Sequence, residues 1–203
     1  MSGGGIEDGK EWIEGRIYHQ LEHGYDAVLD VGGGATGFSK LVQEVKLLDA
    51  LPEAVLRVVG LFCIGPDRTD LDYLEQFADA IFMPPATMIV PNAGLVLSGR
   101  SAGTAFAPIL ATPAVTQAFA RGAKVAVMPS LACMTQVTDR GLTFKDAMDG
   151  RPGRGQGPLA LFDRLRVNQW WSQDVPAFFD KFPREWLPLP RSMTASVPSG
   201  GSE

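Results

Sequence analysis

An α/β fold with a mostly parallel sheet and flanking helices follows from three features of the sequence. Helical and strand-like segments alternate along the chain. The strand-like segments are short, apolar runs without polar alternation, the pattern of strands covered on both faces. Each closes on a cluster of turn residues, as expected where parallel strands feed crossover helices.

Lys10 to His23 places Ile13, Ile17 and Leu21 at four-residue spacing, with Trp12 and Tyr18 alongside, which predicts a helix that Gly24 ends as a C-cap. Tyr-Asp-Ala-Val-Leu-Asp-Val, residues 25–31, predicts a first buried strand running into a tight turn at Gly32-Gly33-Gly34. Phe38 to Leu51 returns to helical spacing through Leu41, Val45 and Leu48, and Pro52 stops it. Val55 to Ile64 is a second strand, turned by Gly65-Pro66-Asp67, after which Thr69 or Asp70 caps a helix through Phe77. Thr87 to Pro91 is a third strand, ending at Asn92-Ala93-Gly94. Pro113 to Arg121 is a short helix, and Lys124 to Met128 a fourth strand ending at Pro129. Thr143 to Met148 begins a helix broken at Gly150, and Arg151 to Gly157 is a connector. Leu159 to Trp171 is a longer helix. The expected organisation is a single α/β domain over 1–186, helical over 158–186, with a disordered Ser/Gly/Pro-rich tail over 187–203.

A length of 203 residues, 45% of them hydrophobic, suits one core. The net charge of -5, with signs intermixed, argues against direct DNA binding, which needs clustered Lys and Arg. Cys63 and Cys133 are the two cysteines, too few for a disulfide framework. The N-terminus lacks the pattern of a signal peptide, and no uninterrupted apolar stretch is long enough to span a membrane; the expected location is the cytoplasm.

In open parallel sheets ligands bind beyond the carboxyl ends of the strands. Here those ends carry Asp30 with Gly32-Gly33-Gly34, then Gly65-Pro66-Asp67, Asn92-Ala93-Gly94 and Pro129-Ser130. The glycine loop has three readings. Gly32 to Gly37 has the four-residue gap of a phosphate-binding loop, but Phe38 stands where its lysine belongs, and Lys40 falls two places late. Alternatively, Asp30 is a carboxylate that holds the water shell of Mg2+ or orients an attacking water, with glycines admitting a terminal phosphate. In the third reading Asp30 simply caps the backbone of a tight turn.

Tyr-Asp-Ala-Val-Leu-Asp-Val-Gly-Gly-Gly resembles the second sequence block of the ParA/MinD-type P-loop ATPases. Ile89-Val90-Pro91-Asn92-Ala93-Gly94 resembles the later strand whose terminal Asn recognises the base. Val125-Ala126-Val127-Met128-Pro129-Ser130-Leu131 resembles the next strand and the Pro-containing loop that packs on the base. Arg140-Gly141-Leu142-Thr143-Phe144-Lys145-Asp146-Ala147-Met148 is similar to a C-terminal stretch of the conjugal-transfer ATPases called TraL and of related plasmid-stability ATPases. The likeness runs in order from about Gly9 to Trp171.

The resemblance implies a P-loop NTPase-like sheet, ATP with Mg2+, a homodimer switched by nucleotide, and plasmid transfer or partition proteins as partners. It implies Asp30 as catalytic and magnesium-side carboxylate, Gly32, Gly33 and Gly34 beside the phosphates, Asn92 as base reader and Pro129 as base-packing residue. It also implies an N-terminal Lys-Gly-Gly-x-Gly-Lys-Ser/Thr loop, with its strand at the sheet centre between the Asp30 strand and the Val55–Ile64 strand. No such loop occurs in these 203 residues. The expectation is therefore an ATPase-family protein weak or inactive in hydrolysis and missing its first strand. A longer natural chain is the preferred account; direct closure of the flanking strands or a strand from a partner chain are the others. A non-catalytic partner-binding scaffold on the same fold is the alternative function.

Simpler structural roles stand beside these. Asn-Ala-Gly and Gly-Pro-Asp are ordinary turns, and a proline often ends a strand. Trp170 and Trp171 suit either partner docking or cover for a neighbouring element. His19 and His23, one turn apart, suit a metal only with further ligands, and otherwise form a solvated face. Arg151, Arg154, Arg164 and Arg166 suit a solvated connector and helix face.

Overall fold

The computed structural model describes residues 4–31, 38, 41–42, 44, 51, 56–72, 74–75 and 83–188. Gly32, Gly33 and Gly34, and the expected tail from 189 onward, lie outside the described residues. Leu187, expected to begin the tail, still packs against the core around Phe178 and Phe182.

Three parallel strands form the sheet: β1 (Val59–Ile64), β2 (Ala86–Pro91) and β3 (Lys124–Val125), in the order β1-β2-β3. The register aligns Phe62 with Ile89, Cys63 with Val90 and Ile64 with Pro91, and then Ile89 with Val125. The β3 ladder continues past its two regular residues. Ala126 N donates to Ile89 O at 3.1 Å and Met128 N to Pro91 O at 2.9 Å, so the chain runs extended to Met128 as its apolar sequence predicts.

β2 is the centre, and its side chains alternate between two apolar layers. On one face Ile89 packs with Ile64, Leu71 and Leu74, with Ile109 of α2 (Ala102–Leu110), and with Val115 of α3 (Pro113–Ala120). On the other, Met88 and Val90 meet Ala126, Phe178 and Phe182. Thr87, also buried in β2, donates its hydroxyl to Pro84 O at 2.6 Å, which satisfies the one polar group in the strand's burial pattern. These layers meet the expectation of a strand covered on both faces.

β1 departs from it. Phe62 and Ile64 face the core, but Leu61, on the other face, is 53% exposed and Cys63 is exposed too. The chain that covers Met88 and Val90 does not extend over their β1 neighbours. The expected first strand over Tyr25–Val31 is corrected more strongly. Among the described residues it joins no ladder, and Val28 is 97% exposed with Leu29 and Asp30 also open. Apolar composition marks a strand only where layers exist to cover it, and none covers this segment among the described residues. Only Val31 packs inward, with Phe62, onto the cluster of Ile13, Phe38, Leu41, Val42 and Leu51.

α1 (Gly4–His23) matches the predicted helix and begins earlier. Ile13 is buried and Ile17 half-buried against that same cluster, while Leu21 is exposed, so the stripe seats only at its middle. Lys10 pairs with Glu44, tying α1 to the described residues of the 38–51 segment, which are helical. α2 was not expected; Pro108 lies within it, and Ser101 starts it, its Oγ accepting from Thr104 N at 3.1 Å.

The C-terminal half adds α4 (Met134–Asp139), α5 (Phe144–Asp149), α6 (Leu161–Gln169) and α7 (Val175–Phe179), around Val137, Ala147, Leu159, Val167 and Trp170. The predicted helix 159–171 is α6, and it continues through a π-helical turn, Trp170–Asp174, into α7. Pro176 has no N–H for the carbonyl four residues back, and a wider turn is one way a helix accommodates that loss. Among the described residues no helix is long and apolar enough to cross a membrane.

Candidate functional site

The carboxyl ends of the strands are knitted together by backbone bonds. Asn92 N donates to Ile64 O at 2.9 Å, and Ala93 N donates to Met128 O at 3.0 Å, while Asn92 and Met128 form an isolated parallel bridge. The residues leaving β1, β2 and β3 therefore emerge side by side, as parallel pairing requires. This rim holds Gly65 after β1, Asn92 after β2 and Pro129 after the β3 extension.

Gly65 opens the turn expected at Gly-Pro-Asp. A Cβ there would lie 2.1 Å from Asp70 Oδ2, so only glycine leaves room for that carboxylate. Asp70 Oδ2 in turn accepts from Asp67 N at 3.2 Å, and Asp67 caps a short 3-10 turn over Arg68–Leu71. Asp67 therefore serves the turn, as the simpler sequence reading holds.

Asn92 sits half-buried. Its Oδ1 accepts from Gly94 N at 2.9 Å, closing the Asn-Ala-Gly turn. An amide oxygen has two lone pairs and the amide nitrogen two protons, so this turn bond uses only part of the side chain's capacity. Structural and recognition roles are compatible at this one residue.

Pro129 is half-buried and its carbonyl accepts from Trp170 Nε1 at 2.9 Å. Trp170 is itself buried, with its ring 5.0 Å from Phe144. A residue 41 positions along the chain thus anchors the loop after β3. This positioning role was missed by sequence reasoning, which gave Trp170 docking or cover. A buried indole needs an acceptor, and that rule is the signal available in the sequence, but it does not say which acceptor.

Asp30 is exposed on the segment flanking β1. The Cys63 thiol is pushed above the usual cysteine range, first by partial burial of the sulfur and second by the Asp30 charge. Cys63 pairs with Val90, two residues before Asn92. With about 3.3 Å per residue along a strand and about 4.8 Å between strands, the Cα atoms of Cys63 and Asn92 are roughly 8 Å apart. The Asp30 charge thus acts on the strand that pairs with β2 shortly before Asn92. Cys63 as its neighbour was not anticipated; nothing short of the strand register and the path of residues 25–31 could reveal it.

Chemically, the rim offers an amide with spare donors and a pinned proline loop. Among the described residues no group of three or more His, Cys, Asp or Glu is placed to hold a metal ion. No family model, curated protein or solved structure matches the chain, and the reading of the rim rests on its own residues.

Proposed function

We propose that this chain is a ParA/MinD-like nucleotide-switch protein of plasmid conjugal transfer or partition, weak or inactive in ATP hydrolysis on its own. What supports the reading is the order of the resembling sequence blocks, together with Asn92 and Pro129 side by side at the carboxyl end of one parallel sheet and an Asp30 charge that acts on Cys63 of β1. In this reading Asp30 faces the water shell of Mg2+ bound to the phosphates of ATP, Asn92 offers its amide to the adenine edge, and Pro129 packs on the base. Gly32, Gly33 and Gly34 approach the terminal phosphate. The apolar surface of Val28, Leu29 and Leu61 lies open where the resemblance implies a further strand. Without a Walker A lysine among its residues the chain lacks the usual cation for the outer phosphates, which is why weak hydrolysis is proposed.

The test is a thermal-shift titration of the full chain with ATP and Mg2+. A shift that needs Mg2+, that falls in Asp30→Ala, and that loses its preference for ATP over GTP in Asn92→Ala is the expected result. Absence of any nucleotide-dependent shift in the unaltered chain would defeat the reading.

A second reading, a non-catalytic partner-binding scaffold, is favoured by one observation. Leu161, Phe162, Leu165 and Trp171 are all exposed on α6 and the π-helical turn. Contiguous apolar side chains on a surface mark interaction sites. A chain that forms a stable complex with a plasmid transfer or partition protein, independent of ATP and abolished by Phe162→Glu with Leu165→Glu, would select this reading.

A further inference from the structure

β3 is an outer strand of the sheet, and among the described residues no strand pairs with its far side. Ala126 N donates to Ile89 O, Met128 N donates to Pro91 O, and Met128 O accepts from Ala93 N. Ala126 and Met128 thus turn their backbone groups toward β2. Val125 and Val127 turn theirs outward, as the alternation of a parallel ladder requires. Among the described residues the N–H and C=O groups of these two valines have no hydrogen-bond partner. Their side chains are open too, at 42% and 44% exposure, whereas Ala126 on the opposite face is buried in the Phe178 layer.

Both ends of this free edge are fixed. Ala123 N is already held by Ala118 O at 3.0 Å. Pro129 has no N–H, and its carbonyl is taken by Trp170 Nε1. Natural sheets blunt their edges with lysine or proline. Here Lys124 and Pro129 flank the edge and leave the two valines between them unguarded.

We infer that this edge pairs antiparallel with the same edge of a second copy of the chain, about a two-fold axis at Ala126. Val125 then stands opposite Val127 of the second copy, and Val127 opposite Val125 of the second copy. Residues opposite each other in such a pair exchange both N–H···O=C bonds, so every free donor of the edge meets a free acceptor. The valines of both copies fall on one face, where β-branched cross-strand pairs stabilise a sheet. The edge is self-complementary in this register alone. A shift by two residues in either sense sets a valine against Pro129 or Ala123, whose groups are missing or already used. Lys124 lies opposite Met128 of the second copy, so the two lysines do not meet. The contact is isologous, and its short ladder makes the dimer reversible and dependent on concentration. It needs no nucleotide and stands apart from the nucleotide reading of the rim.

Sedimentation velocity of the full chain, without nucleotide, from low micromolar to millimolar concentration is expected to show a monomer passing into a dimer. In the same series the Val125 and Val127 amides should exchange with solvent fast in dilute protein and slowly in concentrated protein. Val127→Pro removes only an outward N–H and leaves the bonds to β2 in place. It takes one bond from each copy and should weaken dimerisation by about thirtyfold. A chain carrying Val125→Lys and Val127→Lys, and one carrying Val125→Glu and Val127→Glu, should each stay monomeric alone and dimerise when mixed, since like charges then no longer face each other. A monomer at every concentration, an undiminished dimer in Val127→Pro, or a dimer in either like-charged chain alone would overturn the inference. So would slow exchange of both amides in the dilute monomer, a measurement on the unaltered chain that decides even if a variant fails to fold.

Discussion

Replacing Trp170 by Phe removes one hydrogen bond while keeping most of the aromatic packing. Trp170 is buried against Phe144 and donates from Nε1 to Pro129 O at 2.9 Å. A typical intramolecular hydrogen bond contributes about 1 kcal/mol, and leaving a buried acceptor unpaired costs about 1–3 kcal/mol. Pro129 is only half-buried, so water reaches part of its surroundings and the lower end of that range applies. Trp170→Phe is therefore expected to cost about 1–2 kcal/mol, a factor of roughly 5–30 in the unfolding equilibrium. Trp170→Ala also empties the ring's site and is expected to cost about 3–5 kcal/mol. Urea unfolding of the full chain, read by circular dichroism rather than by tryptophan emission, measures both. Equal losses in the two variants would show that the bond alone carries the effect and that the ring's packing adds nothing. No loss in Trp170→Phe would refute the anchoring argument outright.

Other expectations follow from the same geometry. Asp30→Asn removes a negative charge that raises the Cys63 pKa, so the thiol should ionise at lower pH and react faster with iodoacetamide at a fixed pH near 8; an unchanged alkylation rate would separate Asp30 from β1. Ile89→Ala opens a cavity in the layer shared with Ile64, Leu71 and Val115 and should cost about 2–5 kcal/mol in urea unfolding, against less than about 1 kcal/mol for the exposed Leu161→Ala. Gly150 ends α5 at φ 70°, and a Cβ there would meet Arg164 Cζ at 2.6 Å, so Gly150→Ala should lower the melting temperature by several degrees, a loss that Arg164→Ala in the same chain partly restores.

Much of the fold was legible because it is local. Three of the four predicted strands are present, and β2 is the clearest, since all but its first residue are buried, as an uninterrupted apolar run requires. Gly24 follows α1 with its N–H on Gln20 O at 2.8 Å, as a C-cap should. Thr143 caps α5, its Oγ1 accepting from Asp146 N at 3.1 Å. Caps and periodicity depend on a few consecutive residues, and a sequence displays them directly.

Burial of a given apolar run is another matter, because it depends on what the rest of the chain brings to it. Val-Leu-Asp-Val at 28–31 reads like a buried strand, yet Val28 stands in solvent and only Val31 turns inward. Leu61 has the same composition as its neighbours in β1 but lies beyond the reach of the Phe178 layer. The rim was legible as a list, Asp30, Asn92 and Pro129, since strand-end turn residues mark it. The Asn92–Gly94 bond is the ordinary turn the sequence displays, but the longer-range connections were not legible: Trp170 beneath Pro129 and the Asp30 charge acting on Cys63.

The sequence by itself determined the alternation of helix and strand, the parallel class of the sheet and the residues that end its strands, because each follows from short-range sterics and from the period of apolar residues. Only the tertiary structure decided which strand lies at the centre, which apolar side chains stay in water and which distant groups share a hydrogen bond or a field. Those outcomes depend on pairings between segments tens of residues apart, chosen by the free energy of the whole chain rather than by any one stretch of it.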